Sequence, residues 1–434
     1  MSLIVNPYLE ESSSKVRSKP IPWEGYQRAG LITPAELAAI KKVDRQPRSR
    51  IESILVNEGA QYAALYLSLL KKLVRVDVLQ YILVLIGDSL IDHEERIGLY
   101  TGAAHDDPEL PYGPLLRSLD TPDEFVQLKA CQVLSILFGS SEDSAGIMDI
   151  NTFLNFISSL IKDTSIARRD VGVQCLEATL PTPAFRLAVW HVPSIMQSLV
   201  QLLKSNKTAQ MQYQITFCIW LLSFEPSVAA AINRQYDVIP ILTEVAQTAA
   251  KEKVIRVVVA TFKNLVVKAP DANLPAMLVA KLLPFVQNLT GRKFSDEDIK
   301  EDVLFLRDEL KAQFESLTTY DEYASELVSG HLGWTPVHDS DEFWKENACR
   351  LNENDSEQLK RLVDLLNTST DPVMLAVAAH DIGKYVKYCE RGKKIITDLG
   401  AKTRVMELMS HEDSEVRYQA LMSVQLLVSH SWAS

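Results

Sequence analysis

Apolar residues recur at three- and four-residue spacing along most of the chain, as in Ile195, Leu199, Leu202 and Leu203 or Val254, Val257, Val258, Phe262 and Leu265. No stretch alternates convincingly at period two. The first spacing puts side chains on one face of a helix, whereas a half-buried strand needs the second, so the pattern predicts an all-α chain with essentially no sheet.

A second, longer pattern lies over the first. A helix opening with an acid or polar residue, an apolar residue three later and a small or apolar residue near seven returns about every forty residues. Asp123 leads to Val126 and Ala130, Asp163 to Ile166, Thr208 to Met211 and Ile215, Lys251 to Val254 and Val258, Asp371 to Met374 and Ala378, and Asp413 to Val416 and Ala420. The starts lie 40, 45 and 43 residues apart and then, after a gap of 120 that would hold about three units, 42 apart. A helical repeat of that period predicts an armadillo or HEAT-like right-handed superhelical solenoid. Such units bury their apolar faces only against neighbours, and the stack they form carries a continuous concave face suited to holding other proteins. The organisation points to binding rather than catalysis.

Breaks in the pattern set the expected domains. Residues 1 to about 30 read as an arm, with Pro20 and Pro22 preventing a regular helix before Trp23. Thr33, Pro34 and Glu36 have the chemistry of an N-cap, a first helical position and its third, so a helix is expected to start there. After a charged connection at residues 291–298, a helix carrying Ile299, Val303, Leu306 and Leu310 closes the first stack. Leu317, Thr318, Thr319 and Tyr320 then interrupt the period and form the expected hinge between a large domain, 1–316, and a small one, 317–434. Trp334 and Trp344 flank this boundary and are expected to fix one domain to the other, whereas Trp220 is expected in the core.

Composition narrows the class of partner. Forty-five basic and fifty-six acidic residues give a net charge of −11, which disfavours nucleic acid and anionic membrane. The longest apolar stretch, residues 78–86, is interrupted by Gln80 and is far too short to cross a bilayer. The first residues show no basic leader, so export is not expected. Five cysteines, Cys131, Cys175, Cys218, Cys349 and Cys389, are widely spaced and mostly within apolar runs, and they read as reduced core thiols.

The sharpest catalytic pattern is His380-Asp381, which resembles the His-Asp doublet of metal-dependent phosphohydrolases. That chemistry needs further ligands, because adjacent helical residues point about 100° apart and cannot close a coordination shell alone. A structural histidine is the better reading, with His331 and His338 in the irregular linker. Gly383-Lys384-Tyr385 and Gly392-Lys393-Lys394 lack the Ser or Thr of a P-loop. No metal and no cofactor are expected. Lys384, Lys387, Arg391, Lys393 and Lys394 form a basic cluster in an acidic protein, read either as a solvated helix end or as a docking patch for an acidic partner. Gln210, Gln212, Tyr213 and Gln214, with Arg256, Lys263 and Asn264, lie on helices expected to line the concave face and are the candidate partner groove. The Trp and Asn ladder of nuclear import adaptors is missing, since Ala260 stands four before Asn264 and Phe224 four after Trp220.

Several runs carry a family resemblance: Gly330-His331-Leu332, Trp334, Pro336-Val337-His338, Phe343-Trp344-Lys345-Glu346-Asn347-Ala348, Ala376-Val377-Ala378-Ala379-His380-Asp381-Ile382-Gly383, and His411-Glu412-Asp413 with Val416-Arg417-Tyr418. With Gln212-Tyr213-Gln214 and Ile219-Trp220-Leu221-Leu222, they make the chain resemble the H subunits of vacuolar-type proton-pumping ATPases (V-ATPases), most specifically from about residue 190 to the end. The resemblance implies a non-catalytic regulatory component, peripheral on the cytosolic face of the endomembrane. Its large domain would bind the peripheral stalk of the catalytic sector, made of the E and G subunits. Its small domain, Arg417 included, would contact the cytosolic part of the membrane-sector a subunit, or swing onto the detached catalytic sector and silence its ATP hydrolysis. An armadillo adaptor with other partners and a phosphohydrolase are the competing classes.

Overall fold

A computed structural model describes residues 6–140, 150–205, 208–294, 296–317 and 319–429. Every regular element among them is helical, from Pro7–Ser18 to Ser414–Val428. The expected repeat openings coincide with helix starts, and the recurring acid has a local reason. Asp123 accepts from the Val126 amide at 2.9 Å, Asp371 from Val373 at 2.8 Å, and Asp413 from Glu415 and Val416 at 2.9 and 3.1 Å. Each supplies a partner to amides that the helix cannot satisfy itself and complements the positive end of its dipole. Asp163 works one turn earlier, accepting from the Ser165 amide at 2.9 Å before the helix Ile166–Thr179. Thr33 and Glu36 form the full reciprocal capping box.

Residues 1–276 with 288–303 make one compact unit and residues 277–287 with 304–434 a second. In the first, the helices Val76–Leu90, Glu124–Gly139, Ile166–Thr179, Ala209–Leu222 and Glu252–Lys268 pack each against the next. Glu124–Gly139 buries Phe125, Val126, Leu128, Ala130, Cys131, Val133, Leu134 and Leu137, residues spread around its whole circumference, because it has helices on several sides. The packing leaves no room at Gly139, where a Cβ would overlap the Ala178 carbonyl oxygen.

The N-terminal segment departs from the expected arm. Pro7–Ser18 is a helix with Asn6 as N-cap and Pro7 at its first position, and Trp23–Arg28 is another. Leu9, Val16, Trp23 and Tyr26 are buried. Pro20 and Pro22 only separate the two helices. Pro7–Ser18 rests on Val76–Leu90 and Glu124–Gly139. Arg17 forks onto Asp88 at 2.6 and 2.8 Å, and the Asn6 amide donates to Gln174 at 3.0 Å.

The second unit has its own core, including Tyr323, Phe343, Trp344, Leu359, Leu362, Ile382, Tyr385 and Val416. Pro372–Tyr388 and Ser414–Val428 are its tightest pair. The Ser423 hydroxyl donates to the Ala379 carbonyl at 2.6 Å, and a Cβ on Gly383 would overlap that hydroxyl. Of the expected hinge, Leu317 ends the helix Glu297–Leu317, while its side chain and Thr318 lie outside the described residues. Thr319 caps the helix Tyr320–Ser329, and the Tyr320 hydroxyl donates to the Arg350 carbonyl at 3.0 Å with the Arg350 guanidinium 3.9 Å over its ring. Tyr320 is therefore anchored within the second unit. Trp344 is fully buried in that unit's core, and Trp334 leans edge-on against His380 of the same unit.

Candidate functional site: two polar surfaces and a buried ion cluster

Stacked repeats bring residues about forty apart in sequence face to face, and the groove candidates are organised by that rule. Gln210 accepts from Lys253 at 2.8 Å, Lys263 meets Asp302 at 2.5 Å, and the Asn264 amide donates to Ser223 at 3.1 Å. Arg256 pairs with Asp298 at 3.1 Å and also with Asp296. The Lys253 ammonium lies 4.8 Å over the Tyr213 ring. The same pattern extends along the row of helices, where Gln80 donates to Asp123 at 3.0 Å and Gln214 to Glu177 at 3.4 Å. Of the seven expected groove residues, Gln212 and Gln214 are buried and not open to a partner, whereas Gln210, Tyr213, Arg256, Lys263 and Asn264 join in cross-repeat contacts. Much of their hydrogen-bonding capacity holds neighbouring repeats in register, and the exposed Arg256 and Gln210 also present it to solvent.

One part of this surface is invisible to a residue-by-residue reading. Tyr213, Phe217, Trp220 and Phe224 follow at intervals of four, three and four on one helical stripe. Their rings touch in sequence, with centroids 5.9, 5.1 and 4.9 Å apart. Trp220, expected in the core, is only half-buried and packs against the rings of Phe217 and Phe224. The spacing itself was the available signal. Beside this row a cavity of about 180 Å³ is lined by Leu9, Gln132, Gln174, Cys175, Glu177 and Phe217, among others. Burial pushes the Glu177 carboxyl up to about 7, against the lowering effect of its Gln214 hydrogen bond.

The basic cluster is less free than its sequence implies. Lys384 and Lys387 share Asp341, at 2.7 and 3.5 Å, and Lys393 reaches the carbonyl of Ser429. The hydrogen bond from Lys384 leads the influences that hold the Asp341 carboxyl well below the usual carboxylate range. Arg391 and Lys394 are exposed. Arg417 is not part of this patch. It caps the preceding turn, donating to the carbonyls of His411 and Glu412 at 2.8 and 2.7 Å. The register set by Ser423 and Ala379 puts it beside the start of Pro372–Tyr388, roughly 20 Å along the helix from Lys387 at 1.5 Å per residue.

The His-Asp doublet has a structural use. Asp381 is fully buried and accepts from Tyr323 at 3.0 Å. His338 Nδ1 lies 2.8 Å from it, and His380 Nδ1 3.1 Å. His338, read from sequence as a linker residue, is buried, and its Nε2 faces Glu326 at 3.2 Å. Burial opposes charge on His338, but the attraction and hydrogen bonds of Asp381 and Glu326 prevail and raise its pKa to about 10. Asp381 is held down despite burial, chiefly by His338. Protein donors thus occupy both oxygens of the carboxylate. Among the described residues no group of three or more His, Cys, Asp or Glu is arranged to hold a metal ion.

Comparison with known proteins fits this architecture. Residues 7–310 and 316–432 match the N-terminal and C-terminal models of the V-ATPase H-subunit family. The match includes the segment before residue 190, where the resemblance in sequence motifs is weaker. The H subunit of the V-type proton ATPase of Drosophila melanogaster is 35% identical over 98% of this chain and 90% of its own length. A probable V-type proton ATPase H subunit of Oryza sativa subsp. japonica is 31% identical over 97% of each. One from Dictyostelium discoideum is 27% identical over 96% of this chain and 94% of its own. Two family domains matched in order across nearly the whole length leave one assignment: the chain belongs to the V-ATPase H-subunit family.

Proposed function

We propose that this chain is a non-catalytic regulatory component that bridges two parts of the V-type proton-pumping ATPase on its cytosolic face. The large N-terminal domain, residues 1–316, holds the E and G subunits of the peripheral stalk through the row of Gln210, Tyr213, Arg256, Lys263 and Asn264. The small domain, residues 317–434, docks through Lys384, Lys387, Arg391 and Lys394 on an acidic surface, either the cytosolic part of the a subunit or the detached catalytic sector. The segment Leu317 to Tyr320 separates the two tasks. Arg417, remote from the basic patch, contributes by fixing the turn before Ser414–Val428.

The observation that supports this reading is that a chain of this family packs as two compact units, residues 1–276 with 288–303 and residues 277–287 with 304–434, with the groove residues in the first and the basic cluster in the second. Stopping a rotary machine requires a brace between a fixed part and a cycling part, and two linked binding units supply both ends. Once one end is bound, the other meets its surface at high local concentration, a gain of about 10² to 10⁴ in avidity. The test is ATP hydrolysis by detached catalytic sector titrated with the intact chain, together with pull-down from pump-bearing membranes. Inhibition at near-stoichiometric chain and co-purification of the stalk proteins are expected. Retention of full hydrolysis, with no stalk protein recovered, sinks the proposal in favour of an adaptor with other partners.

A further inference from the structure

Two cysteines far apart in sequence meet at the surface of the second unit. Cys349 lies in the short helical turn Ala348–Asn352, and Cys389 is the residue that ends Pro372–Tyr388. Their sulfurs are 2.8 Å apart, inside ordinary van der Waals contact and within about 1 Å of the 2.05 Å of a disulfide. Cys349 is exposed, whereas Cys389 is buried. The surroundings are ordered: the Asn352 amide donates to the Cys389 sulfur at 3.5 Å, and Asn352 is itself held by the Tyr385 hydroxyl at 2.8 Å. The other three cysteines are all buried.

We propose that Cys349 and Cys389 are a reversible dithiol–disulfide modification site, oxidised by low-molecular-weight disulfides of the glutathione type. The accessible Cys349 thiolate attacks one sulfur of the small disulfide RSSR, forming a mixed disulfide and releasing RS⁻. Cys389, whose developing thiolate is met by the Asn352 amide, then attacks Cys349 Sγ and expels the second RS⁻. The two thiol protons leave with the two small thiolates. The sum is two protein thiols plus RSSR giving one protein disulfide plus two RSH, with two electrons passing to the small disulfide. An excess of dithiol reductant reverses it.

The pair sits at a place where a bond has mechanical meaning. Cys389 follows directly on the helix that carries Lys384 and Lys387 and precedes Arg391 and Lys394. A bond to Cys349 fixes the end of that helix to the turn that follows Asp341–Asn347, the helix that bears the counter-charge Asp341. Hydrogen bonding to Cys389, followed by burial, pushes the Cys349 thiol up to about 11. The first step is therefore slow near neutrality and accelerates with pH, about tenfold per unit while the thiolate is a minor species.

The experiment incubates the intact chain in glutathione buffers from fully reduced to fully oxidised, quenches with acid, alkylates, and locates the linked peptides by mass. The expected result is loss of two of the five thiols per chain, one peptide joining Cys349 to Cys389, and recovery of both thiols with dithiothreitol. In Cys389→Ser, oxidised glutathione is expected to remain attached to Cys349. In Cys349→Ser, no thiol is expected to be lost. Circular dichroism confirms that each variant is folded. Five alkylatable thiols in the most oxidising buffer, or Cys349 retained as a mixed disulfide in the unaltered chain, overturns the proposal. A rate independent of pH between 7 and 9 overturns the assigned order of attack.

Discussion

Asp381 shows what a single buried charge does in this protein. It is shared by Tyr323, His338 and His380, and it ties the segment following Tyr320–Ser329 to the helix Pro372–Tyr388. Removing one partner of such a set leaves the other charge buried and uncompensated. Asp381→Ala is therefore expected to cost about 3 kcal/mol, read by thermal unfolding of the second unit through Trp344 fluorescence. The pH dependence follows from the two shifts. His338 is raised, so its contribution is complete below the ordinary imidazole value of about 6.5 and is lost as pH climbs through about 10. Asp381 is lowered, so its contribution is complete above the ordinary value of about 3.9 and is lost as pH falls through its native one. Stability from this pair should be greatest between about pH 4 and 6.5 and decline towards 10. A decline equally steep in Asp381→Asn would show that other groups cause it. The sequence shows the doublet but gives no hint that His338, forty-three residues earlier, is its partner.

At the scale of the helix, starts are legible because capping is local chemistry. An acid or hydroxyl followed by an apolar spacing carries its meaning within one turn, and the openings at Asp123, Thr208, Lys251, Asp371 and Asp413 appear where expected. The N-terminal helix carries the same signal in Asn6 and Pro7, and the later prolines, which suggest an arm, break the chain only after that helix has ended. How closely helices approach is a different matter. Gly383→Ala would press on the Ser423 side chain, whose hydroxyl is already bonded to Ala379, so neither can move without loss. We expect destabilisation of about 1 to 3 kcal/mol, partly recovered when Ser423→Ala is added. Equal and additive losses in a double-mutant cycle would mean that the two residues do not meet. At Gly139 the obstacle is the backbone of Ala178, so no side-chain substitution there should rescue Gly139→Ala.

For the whole molecule, binding rests on which charges remain available after folding. Asp341 takes up much of Lys384 and Lys387, and Arg391 and Lys394 stay exposed. Reversing both, Arg391→Glu with Lys394→Glu, is expected to slow association with an acidic partner by about tenfold at low salt, with the difference shrinking as salt rises and the fold unchanged. Stopped-flow association at two ionic strengths measures it, and equal rates at low salt would remove the patch from the binding surface. Arg256→Glu should act on the other unit. It sets an acid beside Asp296 and Asp298, and weaker recovery of stalk proteins without loss of helical signal is the expected outcome.

The amino-acid sequence by itself determined the all-helical class, the forty-residue repeat, the positions of most helix starts and the family, because periodicity, capping and motif are properties of contiguous residues. Only the tertiary structure decided which residues meet one repeat away. It joined His338 to Asp381, Cys349 to Cys389, Asp341 to Lys384 and Lys263 to Asp302, and it separated Arg417 from the basic patch. The reason is geometric. A small change in the rotation between stacked repeats alters every cross-repeat partner while leaving the pattern along each helix unchanged, so local chemistry cannot specify those pairs.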